Sequence, residues 1–502
     1  MSAPLFAAVD AGTTGARAVV ADLDGVRWAE VRRPYATVTE RPGWAEQDAR
    51  DWARCAFDAL AGLPSELRAR IAAIGLTGQS PSVVPVDATG APVAPGMIYR
   101  DNRAVEEAAE LRVLLGVTRI HRLTGHTPEA FHIGPKVLWL RRHEPEAFAR
   151  TRWFLQPRDV VLHRLTGTFL TDESHANCTL FYDLEGHRWA EEIFDSVSLG
   201  RVFPDAVPSW TVVGGITAAA AAEMGIREGT PVVIGAGDSQ CVAYGAGVLT
   251  EGPVSEMAGA SSCLNSAVAV PLLDFRVTHY NHVVPDWYTT ELGVNTTGTA
   301  LQWAVTHLGF TDFDDFASCA AEGMALVVSE GVDDPLDAAP VFLPYLGDGE
   351  RDDPGVRAAF AGLSDRHDRR VLAYSVLEGV AAGVASVLDV LKAAGSPLDE
   401  LRVSGGGARL DVLGQVKADL LGVPVLHLRD DAAGLGVALL AAAATGYADD
   451  ADAARAQLLG RSTRFEPRHF ARALLAERRA WFDDLHRATA LRLPLRSARP
   501  YR

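Results

Sequence analysis

Two strand–turn–strand segments, each bending at a run of small and hydroxylated residues, constrain the fold of this chain most strongly. The first, residues 9–25, reads VDAGTTGARAVVADLDG, and the second, residues 252–270, reads GPVSEMAGASSCLNSAVAV. Apolar runs that flank a short turn are typical of a β-hairpin. We interpret the two segments as a weak internal repeat, in which each half of the chain begins with a hairpin and the two tips face each other across a cleft.

The rest of the chain alternates between strand-like and helix-like segments. PLFAAVD, ARAVVADLD and IAAIGLTG have the pattern of short strands, whereas residues 47–61 and 106–115 carry apolar side chains at helical spacing. This alternation favours an α/β architecture. Because 502 residues are too many for one hydrophobic core, we expect two large domains.

Composition and charge exclude several classes of protein. The chain is 48% hydrophobic and 22% charged, as expected of a soluble globular protein, and its net charge of -17 argues against nucleic-acid or membrane partners. Its five cysteines lack metal-ligand spacing and are interpreted as reduced core thiols. No basic segment precedes the first apolar run, so we expect no signal peptide and a cytoplasmic location. The apolar stretch 434–446 is too short for a bilayer and predicts a buried helix.

The first turn, DAGTTG, combines a carboxylate with glycine and threonine. Backbone N–H groups freed by glycine, together with the hydroxyls of Thr13 and Thr14, suit phosphate oxygens. Asp10 would repel phosphate directly, so its presence makes sense if it holds Mg2+, commonly through water, while Arg17 supplies a nearby positive charge. Taken alone, the turn is equally consistent with a purely structural hairpin.

Two further loops carry residues with chemical potential. Asp238 follows the strand-like run 231–235 in a glycine-rich turn, where it would act as general base for a hydroxyl or, alternatively, serve only as a turn cap. The glycine run at 405–407 lies between a strand and a helix, where missing side chains would admit an adenine-ribose face. The sequence has no GxxxxGKS or GxxxxGKT segment and no GxGxxG opening a helix, so other loops would hold a nucleotide.

Taken together, these segments resemble one known family. The chain is similar to the FGGY family of carbohydrate kinases, most closely its xylulokinase-like branch, over residues 5–446. The motifs that carry the resemblance are DAGTTGAR, PGWAEQD, LTGQS, TGHTPEAFHIGPKVLWLRRHEPE, LTGTFLTDESHAN, GAGDSQ, FLPYLGDGER, FAGLSDRH, SVLEG and SGGGARLDVLGQVKADLLGVPV.

The resemblance implies a fold and a domain order. We expect an α/β protein with two actin-like (ribonuclease-H-like) ATPase domains and an interdomain cleft that holds ATP and a sugar. Residues 1–245 would form the sugar-binding domain with the catalytic base, and residues 246–450 the nucleotide-binding domain. Residues 451–502 would be a helical extension. The resemblance also allows a homodimer.

The resemblance further implies roles for individual residues. Asp10 is the expected magnesium-associated acid, and Asp238 is the expected catalytic base, which also contacts the sugar and the metal. The residues expected on the nucleotide side are Gly12, Thr13, Thr14, Arg17, Gly259, Ala260, Ser261, Gly298, Gly405, Gly406, Gly407, Ala408 and Asp411. The residues expected on the sugar side are Gln79, Ser80, Asp101, Arg103 and Asp238.

The sequence departs from the family pattern at both substrate loops. Xylulokinases typically have Gly-Gln-Met-His-Gly where this chain has GQSPS at 78–82, so Pro81 replaces a histidine that would contact the sugar. The second phosphate loop has Ala260 where threonine is usual, and Ser262 is a candidate replacement donor. For Asp101 and Arg103 the alternative to sugar contact is a surface salt bridge.

The predicted function is transfer of the γ-phosphate of ATP, with Mg2+, to a hydroxyl of a small sugar, a ketopentose such as xylulose being the first candidate. Three alternatives stay open. The acceptor could be another ketose, a sugar acid or a polyol. The protein could instead be a catalytically silent sugar or nucleotide sensor of the same fold. It could also be an actin-like assembly protein.

Overall fold

The computed structural model describes residues 3–328, 338–347, 350, 355–430 and 432–492. The chain forms two compact units, and each unit is assembled from three separate stretches of sequence. The first unit comprises Met1–Leu249, Ala267–Thr290 and Ala432–Gly460. The second unit comprises Thr250–Ser266, Glu291–Asp431 and Arg461–Arg502.

The described strands are short and are numbered in chain order. They are β1 Leu5–Ala11, β2 Gly15–Ala21, β3 Arg27–Pro34, β4 Glu46–Gln47, β5 Ile71–Gly78, β6 Val84–Val86, β7 Gly96–Met97, β8 Trp153–Leu155, β9 Leu170–Asp172, β10 Tyr182–Asp183, β11 Arg188–Trp189, β12 Asp205–Val207, β13 Val212–Gly215, β14 Pro231–Gly237, β15 Gly252–Ala258, β16 Ser262–Val268, β17 Thr278–Asn281, β18 Tyr288–Val294, β19 Val341–Leu343, β20 Ala359–Ala361, β21 Leu398–Gly405, β22 Val425–His427 and β23 Thr463–Phe465.

The described helices range from single turns to one of seven turns. They are α1 Ala49–Ala61, α2 Ser65–Arg68, α3 Val105–Leu115, α4 Val117–Thr124, α5 Ile133–His143, α6 Pro145–Arg150, α7 Pro157–Thr166, α8 Glu173–Asn177, α9 Glu191–Ser196, α10 Ala218–Met224, α11 Asp238–Gly245, α12 Gly298–His307, α13 Phe313–Val327, α14 Arg369–Ala394, α15 Asp411–Leu421, α16 Ala432–Ala444, α17 Ala448–Gly460 and α18 Ala471–Arg492.

Both predicted hairpins form, and the strands around them follow the same order in each unit. In the first unit β1 pairs antiparallel with β2 and parallel with β5, β5 pairs parallel with β14, and β14 pairs antiparallel with β13. In the second unit β15 pairs antiparallel with β16 and parallel with β21, which is followed by parallel β22 and antiparallel β23. The shared order confirms the internal repeat predicted from the two hairpins.

Helix α16 is the apolar stretch predicted as a buried helix, and it packs on the sheet of the first unit. A Cβ atom at Gly75 of β5 would lie 2.6 Å from the carbonyl oxygen of Val437, so the close approach of strand and helix requires glycine there. A Cβ at Gly436 would similarly lie 2.1 Å from the carbonyl oxygen of Cys241. This packing places the helix in the first unit, although the division expected at residue 450 assigns it to the second domain.

The described residues after 450, expected to form a helical extension, are built into the two units. Helix α17 completes the first unit, whereas β23 pairs with β22 and α18 packs in the second unit. Arg478 of α18 is buried, and its Nε donates to Glu378 of α14 at 2.6 Å. Residues 493–502 of the expected extension lie outside the described residues, as do Asp348, Gly349 and Arg351 of the FLPYLGDGER motif.

One described helix, α14, is long and apolar enough by composition to cross a membrane. However, 83% of its most apolar window is buried within the protein, where it packs against α13 and α15. Such burial is characteristic of the core helix of a globular unit.

The five cysteines all fall within the described ranges and are free thiols. Cys55, Cys178 and Cys241 are buried, as expected of core thiols. Cys263 and Cys319 are only half-buried, so the expectation of a core position is wrong for these two. Cys319 lies on α13, which keeps one face exposed, whereas Cys263 is the single half-buried position of the otherwise buried strand β16.

Candidate active site

Two carboxylates lie at the same edge of the sheet in the first unit. Asp10, near the end of β1, is in register with Thr77 of β5, and Thr77 is in register with Ala236 of β14. Asp238 begins α11 directly after β14. Because one strand separates β1 from β14, their carboxyl ends lie about 10 Å apart. Ligands of open α/β sheets bind outside the carboxyl ends of the strands, which makes this edge the candidate ligand-binding edge of the first unit.

Asp10 faces a space that glycine keeps open. Its side chain is 22% exposed, and Nη2 of Arg17 on β2 lies 3.4 Å from its Oδ2. A Cβ atom added at Gly12 would lie 3.5 and 3.6 Å from the two carboxylate oxygens of Asp10. The absence of a side chain at Gly12 therefore leaves room beside this carboxylate. A carboxylate with open space fits Mg2+, which binds proteins through one or two carboxylates and takes its other ligands from water and phosphate. The described residues contain no cluster of three or more His, Cys, Asp or Glu side chains suited to a metal.

The turn that follows Asp10 is fixed by hydrogen bonds to its carbonyl oxygens. The hydroxyl of Tyr35 donates to the carbonyl of Gly12, and the backbone N–H of Tyr35 donates to that of Thr14 at 3.3 Å. Nε2 of Gln47 donates to the carbonyl of Thr13 at 2.7 Å. Thr13 is half-buried and Thr14 is exposed. The turn is therefore held through its carbonyl oxygens while the Thr14 side chain faces solvent.

Asp238 is half-buried at the first position of α11, and its backbone is anchored through the preceding residue. The backbone N–H of Gly237 donates to Oγ of Ser174 at 3.0 Å, and that hydroxyl donates to Oδ2 of Asp172 at 2.6 Å. Oδ1 of Asp238 accepts from the backbone N–H of Ser239 at 2.9 Å. A chain of buried hydrogen bonds thus fixes the strand end that presents the acid.

The same network carries a buried arginine. Arg158 donates to the carbonyls of residues 234 and 235 at 2.7 and 3.1 Å, and its Nη2 lies 3.0 Å from Oδ1 of Asp172. Nδ1 of His175 lies 2.6 Å from the same Asp172 oxygen. Burial raises the pKa of Asp172, but Arg158 and His175 outweigh it and hold that pKa well below the usual range. Asp172 is therefore a permanently charged anchor beneath the end of β14.

Gln79 and Ser80 extend from the end of β5, beside the strand that carries Asp10. The backbone N–H of Gln79 donates to the carbonyl of Ala11 at 3.0 Å, and its side chain is buried. Oγ of Ser80 lies 3.1 Å from Oε1 of Gln156 and 3.1 Å from Sγ of Cys178. These two residues predicted on the sugar side therefore lie at the sheet edge that carries the acids.

Asp101 and Arg103 form a buried ion pair. Nη2 of Arg103 lies 2.5 Å from Asp101 and 2.7 Å from Oε1 of Glu46. The guanidinium lies over the ring of Trp44, 3.4 Å from the ring centroid. The salt bridge of the alternative interpretation therefore forms. It is not at the surface, however, because the side chain of Asp101 is 0% and that of Arg103 3% exposed. Contact of either residue with a sugar stays a prediction.

Lys136 joins the segments that carry these predicted sugar-side residues. It is fully buried on α5, and its Nζ donates to the carbonyls of Ile98 at 2.7 Å and Pro81 at 3.2 Å. Burial lowers the pKa of this ammonium to about 7. Lys136 thus connects the turn after β5 to the segment that contains Asp101 and Arg103.

The second unit contains a cavity of about 820 Å³. It is bounded by the tip of the β15–β16 hairpin, helix α12 and the glycine run at the end of β21, and its wall is mostly apolar. The large apolar side chains of this wall are Leu301, Trp303, Phe313, Val380, Leu410 and Leu413. The volume and lining suit a small organic ligand such as a nucleoside.

The cavity separates the predicted nucleotide-side residues of this unit into two groups. Five line its wall, namely Gly259, Ala260, Gly298, Gly406 and Gly407. Four are absent from the wall: Ser261 and Gly405 are exposed, Ala408 is buried, and Asp411 is paired with Arg429. Asp411 begins α15 with its side chain 61% exposed, which accounts for its ion pair outside the cavity.

The start of α12 clamps the hairpin tip. The backbone N–H of Gly298 donates to the carbonyl of Gly259 at 3.2 Å, and that of Thr299 donates to the carbonyl of Ala260 at 3.0 Å. A Cβ at Gly298 would lie 2.1 Å from the Gly259 carbonyl oxygen, so only glycine allows this approach. The predicted contact residue Gly298 is therefore also a packing requirement of the loop.

Ser262 as a replacement donor for the hydroxyl missing at Ala260 stays a prediction. It lines the cavity, but its hydroxyl donates to Oε1 of Glu256 at 2.8 Å and lies 3.0 Å from Oγ1 of Thr297. A contact with phosphate would require this hydroxyl to give up its bond to Glu256.

Sequence reasoning missed an ion pair in the cavity wall. Nζ of Lys417 lies 2.6 Å from Oε2 of Glu256, and both side chains are fully buried. A signal was available in the composition, because only three of the 47 basic residues are lysines. Two of these three, Lys136 and Lys417, are buried at the candidate sites.

Comparisons with known proteins agree with this architecture. The FGGY family of carbohydrate kinases matches through its N-terminal domain at residues 5–245 and its C-terminal domain at residues 255–445. A xylulose kinase of Staphylococcus epidermidis is 29% identical over 457 residues, which cover 88% of each chain. A glycerol kinase of Bordetella parapertussis is 30% identical over 490 residues, which cover 92% of each. The crystal structure of a xylulose kinase from Rhodospirillum rubrum has a TM-score of 0.87 at 29% identity, covering 96% of this chain and 98% of that one.

The repeated strand order and these matches confirm the predicted α/β fold with two actin-like (ribonuclease-H-like) ATPase domains. The chain belongs to the FGGY family of carbohydrate kinases. It is accordingly a phosphotransferase with an alcohol group as acceptor and ATP as co-substrate.

Proposed function

We propose that the protein transfers the γ-phosphate of ATP to a hydroxyl of a neutral ketopentose such as xylulose. The observation that carries this proposal is the position of Asp10 and Asp238 at the carboxyl ends of β1 and β14, with Gln79 directly after the strand between them. The xylulose kinases among the similar proteins support the choice of acceptor. The same proposal locates the reaction in the cytoplasm.

In this mechanism Asp238 accepts the proton of the attacking hydroxyl. Phosphoryl transfer has a loose transition state, so positioning of the hydroxyl and neutralisation of charge carry most of the catalysis. The hydrogen bonds from Gly237 through Ser174 to Asp172 support this assignment, because they hold the base in one position. Magnesium, when bound, would be held by Asp10 and Asp238 and would neutralise charge on the transferring group.

A neutral acceptor is favoured over a sugar acid by the pairing of nearby cations. Arg103 is paired with Asp101 and Glu46, and Arg158 with Asp172. The Nζ of Lys136 donates to two backbone carbonyls. A carboxylate on the acceptor would need a cation as partner, and these three already have partners.

The nucleotide would bind through the glycine loops, with its adenosine part in the cavity of the second unit. The apolar wall provides stacking and contact surface, and Gly259, Gly298 and Gly406 allow close approach of the ligand to the backbone. Gly12, Thr13 and Thr14 of the first unit stay predicted phosphate contacts. A homodimer stays a prediction, which size-exclusion chromatography with light scattering would test.

An acceptor screen tests the proposal. Release of ADP would be measured with ATP, Mg2+ and D-xylulose, L-xylulose, D-ribulose, D-fructose, glycerol and D-gluconate in separate reactions. We expect the highest kcat/KM with a ketopentose and none above background with D-gluconate.

Three outcomes would contradict the proposal. Preference for glycerol or gluconate would overturn the acceptor class while leaving the kinase intact. Sugar binding without ADP release would indicate the silent sensor. Filaments formed with ATP would indicate the assembly protein.

A further inference from the structure

A buried amide connects the predicted phosphate turn to the predicted sugar side. Gln47 of β4 is 2% exposed and makes four side-chain hydrogen bonds. Its Nε2 donates to the carbonyl of Thr13 at 2.7 Å and to Oγ1 of Thr37 at 2.8 Å. Its Oε1 accepts from Nε1 of Trp52 at 2.8 Å and from Nε2 of Gln79 at 2.9 Å. These four bonds use the full capacity of a side-chain amide.

The orientation of this amide follows from its partners. The carbonyl of Thr13 can only accept, so the Gln47 atom beside it must be the nitrogen. The indole of Trp52 can only donate, so the Gln47 atom beside it must be the oxygen. Oxygen and nitrogen of an amide are often assigned from the hydrogen-bond network, and here two partners fix the assignment independently.

The orientation of Gln47 determines that of Gln79. Because Oε1 of Gln47 is an acceptor, the atom of Gln79 that faces it must be Nε2. Oε1 of Gln79 is then directed away from Gln47, and it is buried with no hydrogen-bond partner among the described residues. Buried polar atoms are nearly always paired, so an unpaired oxygen at the sheet edge that also carries Asp10 points to a ligand that donates. A sugar hydroxyl is such a donor.

We infer that Gln47 is a positioning residue that holds the Gln79 oxygen towards an acceptor hydroxyl and, through Thr13, holds the phosphate turn. This inference rests on the proposed function, because it takes Gln79 as a sugar contact and residues 12–14 as a phosphate contact. One side chain then orders both substrate-binding elements of the first unit.

Two isosteric variants separate these roles. Gln47→Glu replaces the nitrogen that donates to Thr13 and Thr37 with an oxygen that the Thr13 carbonyl repels, so the side chain loses the position from which its other oxygen accepts from Trp52 and Gln79. Gln79→Glu removes the donor that faces Gln47 and leaves the phosphate turn untouched. With D-xylulose and ATP as substrates, we expect Gln47→Glu to raise both KM values about tenfold, and Gln79→Glu to raise only the xylulose KM by a similar factor.

The double variant gives the readout that a merely structural role would not produce. If Gln47 acts on the sugar through Gln79, the double variant should have the xylulose KM of Gln79→Glu alone, within about twofold, and the ATP KM of Gln47→Glu alone. Multiplicative effects on the xylulose KM would overturn the inference. So would a Gln47→Glu protein in which either KM is unchanged.

Thr37→Val keeps the inference testable if Gln47→Glu does not fold. Thr37 is half-buried, and its loss removes one acceptor from the Gln47 amide without changing Gln47 itself. We expect both KM values to rise about twofold to threefold, and unchanged values would contradict the inference. Gln457→Glu, at an exposed position of the same unit, is the control for the change in charge.

Failure of the inference and failure of the proposed function are distinguishable. If wild-type protein does not phosphorylate D-xylulose, the proposed function fails irrespective of the variants. If wild-type protein is active and Gln79→Glu leaves the xylulose KM unchanged, the sugar contact at Gln79 and the inference fall while the kinase assignment stands.

Discussion

The two hairpins share one strand order but present different chemistry at their tips. The first carries Asp10 with Arg17 beside it, and Asp238 lies two strands away on the same sheet. The second has Gly259, Ala260 and Ser261 at its tip and borders a mostly apolar cavity. Under the proposed function, the first unit would supply charge for the reaction, and the second would supply an apolar wall and backbone contacts for the nucleotide.

The contacts that hold the site residues in place also differ between the two units. In the first unit the strand end before Asp238 rests on Ser174, Asp172 and Arg158, all buried and hydrogen-bonded. Buried charges are tolerated only when paired, so this network fixes one geometry. In the second unit the approach of Gly298 to Gly259 is set by close backbone packing. Substitutions should therefore affect catalysis at the first hairpin and nucleotide affinity at the second.

The largest effect is expected for Asp238→Asn. Loss of a general base typically lowers turnover about 10² to 10⁴-fold. We expect kcat to fall in this range while the dissociation constant of ATP, measured by titration calorimetry, stays within about twofold. Asp205→Asn, at a position 77% exposed in the same unit, is the control. Turnover close to that of wild type would remove Asp238 from the role of base.

A smaller effect is expected for Asp10→Asn, and it should depend on magnesium. If Asp10 contacts the ion through water, its loss should raise the magnesium concentration needed for half-maximal activity about 10 to 100-fold. Activity at saturating Mg2+ should recover in part. A magnesium dependence equal to that of wild type would show that Asp10 does not serve the metal.

The smallest effect is expected for Gly298→Ala, and Gly12→Ala is its counterpart on the first hairpin. The added Cβ at residue 298 would lie 2.1 Å from a carbonyl oxygen and must displace the hairpin tip. We expect the ATP KM to rise about tenfold, as for loss of one good backbone contact. At residue 12 the nearest atom would be 3.5 Å away, an ordinary contact, so the ATP KM should change less. A larger rise in the ATP KM for Gly12→Ala than for Gly298→Ala would contradict this difference between the two hairpins.

Local patterns predicted most of the elements and the two acids. Hairpin strands and the helices at 47–61, 106–115 and 434–446 follow from apolar periodicity, and the structure has them at Ala49–Ala61, Val105–Leu115 and Ala432–Ala444. The helix predicted from residue 47 begins at Ala49 instead, because Glu46 and Gln47 form strand β4 and pair with Gly96–Met97 of β7. Asp10 and Asp238 were singled out because each lies where an apolar run meets a glycine-rich turn, and the structure has both at strand ends; their roles stay predictions.

Contacts between distant residues were beyond the reach of sequence patterns. Gln47 meets Thr13 and Gln79, which are 34 and 32 residues away, and Lys417 meets Glu256 across 161 residues. Periodicity tells which face of a strand or helix is buried, but not which partner it meets. Helix α16 shows the difference between order along the chain and packing: the C-terminal domain of the family matches residues 255–445 and includes this helix, yet the helix packs in the first unit.

In the proposed mechanism Asp238 acts on the acceptor hydroxyl. A crystal structure of the Asp238→Asn protein with D-xylulose and a non-hydrolysable ATP analogue tests it most directly. We predict one acceptor hydroxyl within about 2.6 to 3.2 Å of the residue 238 side chain. An acceptor bound with every hydroxyl beyond the reach of residue 238, even through one water, would contradict the account.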